Sequence, residues 1–120
     1  LILFHCVSSY PCLAENINIP RMNELKTITD KVGYSGHYSG VEDAIIALCN
    51  GASYIEKHFT IDNDLPGRDN KFAILPEQFQ IIKNFRDKLK VMITNKGLDL
   101  QDCEYDIYNN VRGRWSGEGE

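Results

Sequence analysis

Short strand-like runs take turns along this chain with segments whose apolar residues recur at helical spacing, and that alternation limits what it can fold into. Leu1 to Val7 is a nearly continuous apolar run ending in Ser8-Ser9-Tyr10-Pro11, which suits a strand buried on both faces and then a turn. After Pro20, the positions Met22, Leu25, Ile28 and Val32 predict a helix of about three turns, with Gly33 as its stop. Val32 to Ser35 is the weakest strand candidate and runs into Gly36-His37-Tyr38-Ser39-Gly40. Ser39 and Glu42 then have the spacing of a capping box, Val41, Ala44, Ile45 and Leu48 form an apolar stripe, and Gly51 closes the helix. Ser53 to Phe59 alternates and is rich in aromatic and branched residues, as a strand should be, before the polar loop Thr60 to Asn70. Pro76 suits a first helical position, with Phe79, Ile82, Phe85 and Leu89 following at helical spacing. Strand, helix, strand, helix, strand, helix implies an α/β fold with parallel strands and right-handed crossovers.

Composition removes several functions. With 42% hydrophobic and 25% charged residues the 120-residue chain reads as an ordinary globular domain. A net charge of -4 with both signs mixed gives no footprint for nucleic acid. No run reaches the roughly 20 apolar residues that span a bilayer. The opening Leu1-Ile2-Leu3-Phe4 has no initiator Met, basic flank or cleavage site, so it reads as a segment entered mid-protein. Cys6, Cys12, Cys49 and Cys103 form no CxxC pair, as expected of reduced thiols in a cytoplasmic protein. Gly33, Gly36 and Gly40 fit neither GxGxxG nor a P-loop. After Lys90 the pattern fades into a tail, residues 91–120, that contains Arg112, Arg114 and Trp115 and has no assigned fold.

In parallel α/β folds ligands gather at the C-terminal ends of the strands. Those ends carry His5, Ser8, Ser9 and Tyr10, then Ser35 and His37, then Glu56, Lys57 and His58, with Asp62, Asp64 and Asp69 beyond. His37 and His58 end consecutive strands, and two imidazoles with oxygen ligands and open positions suit Mn²⁺, Mg²⁺ or Zn²⁺ as a Lewis acid. The spacing is equally compatible with each histidine packing under a loop. Glu56 shares a strand face with His58 and so could orient a ligand or move a proton. Lys57 points the other way and is read as the partner of a surface acid. Ser8, Tyr10 and Ser35 are hydroxyl donors for phosphate oxygens, although serines after strands are usually turn formers.

Four segments, His5-Cys6-Val7-Ser8-Ser9-Tyr10-Pro11, Gly33-Tyr34-Ser35-Gly36-His37, Ile55-Glu56-Lys57-His58-Phe59-Thr60 and Pro66-Gly67-Arg68-Asp69, resemble in order and spacing the sialic acid synthase family. The resemblance covers about residues 1 to 90. It implies a partial TIM (β/α)8 barrel, the last three strand-helix units, from an enzyme that condenses phosphoenolpyruvate with an N-acyl amino sugar, N-acetylmannosamine or its 6-phosphate. The product would be a sialic or related nonulosonic acid, with phosphate released. It further implies His37 and His58 as ligands of Mn²⁺ or Mg²⁺, Ser8, Tyr10 and Ser35 as phosphoenolpyruvate contacts, and Glu56 and Asp69 as catalytic groups around the sugar and the metal water. The parent enzyme is expected to be a homodimer. Its earlier-strand lysines, and a second domain that supplies a sugar-contacting arginine, are outside this chain.

The chain departs from the family pattern at Ser8, where Asn is frequent, at Gly36, where Asp is frequent, at Asn70, often His, and at Ala73, often Ser. The missing acid beside His37 raises the expectation that Asp at position 36 would strengthen metal binding. Two rival readings are another phosphoenolpyruvate-dependent aldol synthase barrel and a non-catalytic remnant of such an enzyme.

Overall fold

The computed structural model describes residues 1–111, so Arg112, Arg114 and Trp115 lie outside the described residues. Three parallel strands, β1 (Leu3–Cys6), β2 (Val32–Gly36) and β3 (Tyr54–Lys57), form one sheet in the order β1-β2-β3. The helices between and after them are α1 (Arg21–Leu25), α2 (Glu42–Cys49) and α3 (Pro76–Met92). This is the α/β alternation expected from the sequence.

The register sorts every strand residue to one of two faces. Leu3 pairs with Val32, and His5 with Tyr34 and then Ile55, on the face covered by helices. Phe4, Gly33 and Tyr54 form one row of the opposite face, and Cys6, Ser35 and Glu56 the next. Met22, Val32, Tyr34 and Ala47 pack together on the helix side, a second group joins Ala44, Ile74 and Ile82, and Ile55 touches both. Burying a side chain such as Met22 or Val32 contributes about 1.5–3 kcal/mol, so the stability of this sheet sits on that side.

Several elements differ from expectation, for local reasons. The three-turn helix from Met22 to Val32 is five residues long, because the chain turns back after Leu25. The Thr29 hydroxyl donates to the Leu1 carbonyl at 2.8 Å and the Leu3 amide to the Lys31 carbonyl at 3.1 Å, which draws Lys31 to the sheet edge. Val32 and Gly33 then belong to β2, the central strand, and Gly33 is no helix stop. The Phe4 ring lies over its Cα and leaves no room for a Cβ. β1 is buried on one face only, with Phe4 43% exposed. Ser39 does not cap α2: the helix follows Val41, whose amide donates to Glu42 Oε2 at 3.1 Å. Gly51, at φ +87°, ends that helix as expected, and Pro76 opens α3, where Gln78 accepts from the Leu75 amide at 2.9 Å.

Beyond α3 lie a 3-10 turn, Asp102–Glu104, and α4 (Tyr105–Val111). Residues 91–110 are exposed, and the radius of gyration is 20.5 Å, against about 14 Å for a compact domain of this size. No helix among the described residues is long and apolar enough to cross a membrane.

Candidate functional site

The site is built at the C-terminal ends of the three strands. His37 follows β2 and is 5% exposed. Its Nδ1 lies 2.8 Å from the Val7 carbonyl, the residue after β1, and 4.0 Å from Cys6 Sγ. A carbonyl oxygen only accepts, so in the neutral ring the proton sits on Nδ1 and Nε2 keeps its lone pair. The His37 carbonyl in turn accepts from the Cys12 amide at 2.8 Å, which ties the first loop across the end of β2.

His58 follows β3, with its ring centroid 5.5 Å from that of His37. The carbonyl of His58 accepts from the Ile74 amide at 2.8 Å and the Thr60 amide donates to the Ile74 carbonyl at 2.9 Å. That short parallel bridge folds the loop from 60 to 73 back over the sheet end, where it brings Asp69 Oδ2 to 3.9 Å from His58 Nδ1. Asn63 donates to the carbonyls of Asn70 and Ala73, each at 2.9 Å, and Asn70 to those of Asp62 and Leu65 at 2.6 and 3.1 Å. The loop that presents Arg68 and Asp69 is therefore braced by two amides. Asp62 belongs to the same frame, accepting from the Asp64 amide at 2.9 Å.

Tyr10 stacks at 4.1 Å on the His37 ring, and Phe72 stands 5.2 Å from the His58 ring, so the two imidazoles share an aromatic enclosure. A cavity of about 350 Å³ opens beside them, lined by Tyr10, His58, Arg68 and Asp69. Ser35 and Glu56 are cross-strand partners on the face away from the helices, and the Ser35 hydroxyl donates to Glu56 Oε1 at 2.8 Å. Among the site residues read from the sequence, Tyr10, Ser35, His37, Glu56, His58 and Asp69 thus converge on one end of the sheet. Ser8 lies exposed just past β1, at the same end.

His5 does not join them. It faces the helices, where Nε2 donates to the Ile17 carbonyl at 2.7 Å and Nδ1 is buried without a partner. The chemistry of the centre fits a divalent ion with two imidazole ligands, because His37, the buried member of the pair, has its free lone pair on Nε2. No group of three His, Cys, Asp or Glu side chains among the described residues is placed to hold an ion unaided. Such an ion would take its remaining ligands from water and substrate.

Lys57 corrects the reading made from its position. Its partner is no surface acid but Asp43 of α2, itself 0% exposed. The ammonium donates to Asp43 Oδ1 and Oδ2 at 3.0 and 2.9 Å and to the Tyr38 carbonyl at 2.7 Å, while the Tyr34 hydroxyl donates to Asp43 Oδ2 at 2.7 Å. Burial pulls the Lys57 pKa down and Asp43 opposes that shift. Burial, and then the bond to Asp43, push the Tyr34 phenol well above its ordinary value. The sequence signal for this network was an acid at 43 that shares a helical stripe with Ala44 and Ala47, four residues on. Gly36 also faces this layer, not the histidines. A Cβ there would press into the Asp43 carboxylate and lie 2.6 Å from the Tyr34 ring, so Asp at 36 would displace the network instead of supplementing the site.

A model of the NeuB family matches residues 1–97. An uncharacterized protein of Methanocaldococcus jannaschii is 40% identical over 93% of this chain and 34% of its own length. An N,N'-diacetyllegionaminic acid synthase of Legionella pneumophila is 37% identical over 77% of this chain and 26% of its own length. Among solved structures, an N-acetylneuraminic acid (sialic acid) synthetase from Leptospira borgpetersenii, in complex with citrate, superposes with a TM-score of 0.75 at 31% identity. That match covers 93% of this chain and 41% of the other. The chain spans 34% and 26% of the length of these two curated relatives.

Proposed function

This chain belongs to the NeuB family, and from that premise we propose that it forms the last three strand-helix units of the barrel of a synthase acting on phosphoenolpyruvate and an N-acyl amino sugar. Residues 1–90 are the barrel part and 91–120 a tail. The reaction joins C3 of phosphoenolpyruvate to the aldehyde carbon of the open-chain sugar. Water adds at C2, phosphate leaves, and a nonulosonic acid results. The observation that carries this reading is the pair of imidazoles at adjacent strand ends, one with its tautomer set by the Val7 carbonyl.

In this reading His37 and His58 hold Mn²⁺ or Mg²⁺, which when bound supplies Lewis acidity toward a carbonyl oxygen. Asp69, opposite His58 Nδ1, orients that ring and faces the sugar. Glu56, held by the Ser35 hydroxyl, is the group that moves a proton. Ser8 and Tyr10 contact phosphoenolpyruvate through their hydroxyls, Ser35 does so by turning its one proton from Glu56 to the ligand, and Tyr10 covers the His37 ring while His58 stays 38% exposed to the approaching substrate.

The test is His58→Ala in the complete protein of which this chain is part. Synthase activity should fall by about 100-fold or more, with loss of Mn²⁺ binding in an equilibrium titration. Turnover near that of the unsubstituted protein would overturn the assignment.

A further inference from the structure

The helix side of the sheet has room for one carboxylate between the ends of β2 and β3, and two sequence positions compete for that space. Gly36 pairs with Lys57 across the strands, and the side chain it lacks would occupy the volume that the Asp43 carboxylate fills. Asp43 reaches there from the first turn of α2, fully buried, with both oxygens on the Lys57 ammonium and one on the Tyr34 hydroxyl.

Lys57 is more than a neutralising charge. Its third contact is the carbonyl of Tyr38, the residue after His37, and Lys57 itself precedes His58. One ammonium therefore links the backbone beside one imidazole to the backbone beside the other, and Asp43 holds that ammonium in place. The Tyr38 ring, 5.9 Å from Nζ, covers the same charge.

We propose that Asp43 and Gly36 are a coupled pair: Asp43 supplies from α2 the single carboxylate this layer admits, in place of an acid on β2 at position 36. Through Lys57 it positions His58 against His37. Asp43 and Lys57 are thus positioning residues that touch no substrate. An acid at 36 becomes compatible with the site only when 43 is small.

The inference rests on the two-histidine reading for its metal readout and is independent of it for its coupling. In the complete protein, Asp43→Ala, Gly36→Asp and the two together are compared by Mn²⁺ titration below the unfolding transition and by thermal unfolding. Each single change should weaken Mn²⁺ binding about 10-fold or more and lower the transition temperature. The double variant should return to within about threefold of the unsubstituted affinity, because contacting sites are not additive. Asp43→Asn, which keeps the shape and removes the charge, serves if Asp43→Ala does not fold, and should weaken Mn²⁺ binding similarly. A double variant no better than its worse parent in both measurements would overturn the proposal, as would Asp43→Ala or Asp43→Asn with unchanged Mn²⁺ affinity. Should His58→Ala bind Mn²⁺ like the unsubstituted protein, the metal reading falls, and the thermal comparison alone then decides the coupling.

Discussion

The two faces of this three-stranded sheet carry similar numbers of polar groups and treat them in opposite ways. On the helix side Asp43, Lys57 and Tyr34 are buried and satisfy one another, so the two opposite charges cancel inside the fold and the phenol has its acceptor. On the other side Phe4 and Tyr54, 43% and 44% exposed, flank Gly33, and Ser35, Glu56 and His58 are open to whatever approaches. In the proposed function that difference separates stability from chemistry. A buried pair is costly to break because the survivor has no water, whereas a carboxylate facing outward can be changed with little effect on folding.

This contrast can be broken most directly at Lys57. Replacing it with Met leaves Asp43 buried with only the Tyr34 hydroxyl, and should cost about 3–5 kcal/mol in denaturant unfolding of the complete protein. A cost under about 1 kcal/mol would mean that the pair behaves as a surface one, and the two faces would then differ less than their geometry indicates.

A smaller effect is expected at the apolar row of the open face. Phe4→Ser with Tyr54→Ser in the isolated 120-residue chain should shift size-exclusion elution from aggregate toward monomer, because it removes the exposed apolar row. The unsubstituted chain should associate and unfold without a sharp transition, since among the described residues the outer edges of β1 and β3 and the open face of the sheet lack partners. A soluble monomer with one cooperative transition would show that this face is self-sufficient after all.

Smallest in stability and sharpest as a contrast is Glu56→Gln. The amide oxygen can still accept from Ser35, so the unfolding free energy should move by less than about 0.5 kcal/mol. Synthase activity of the complete protein should nevertheless fall about 100-fold or more, as for the loss of a proton-transfer group. A destabilised but active variant would reverse the roles assigned to the two faces.

The shared placement of the candidate residues was legible because they sit at the ends of readable strands. Period-two alternation in Ser53 to Phe59 put Glu56 and His58 on one face and Lys57 on the other, and the structure has Glu56 away from the helices and Lys57 among them, with β3 ending before His58. The sequence misled where one residue served two patterns: Val32 continues a helical spacing, yet it is the first residue of the central strand. Local periodicity could not choose between the two, because what decided was a long-range pair of bonds, Thr29 to Leu1 and Leu3 to Lys31. Ser39 likewise has the spacing of a cap, while the helix begins after Val41.

By itself, then, the order of apolar runs determined an α/β chain of parallel strands, and the motifs at the strand ends determined its family, since both depend only on spacing along the chain. Which partner each polar side chain takes was decided by the tertiary structure alone. The carboxylate that neutralises Lys57 comes from a helix 14 residues earlier, and the tautomer of His37 is set by a carbonyl 30 residues away. Neither separation has a periodicity that a sequence can display. Each arises because parallel pairing brings the ends of successive strands together, and in that buried layer every donor needs an acceptor within about 3 Å.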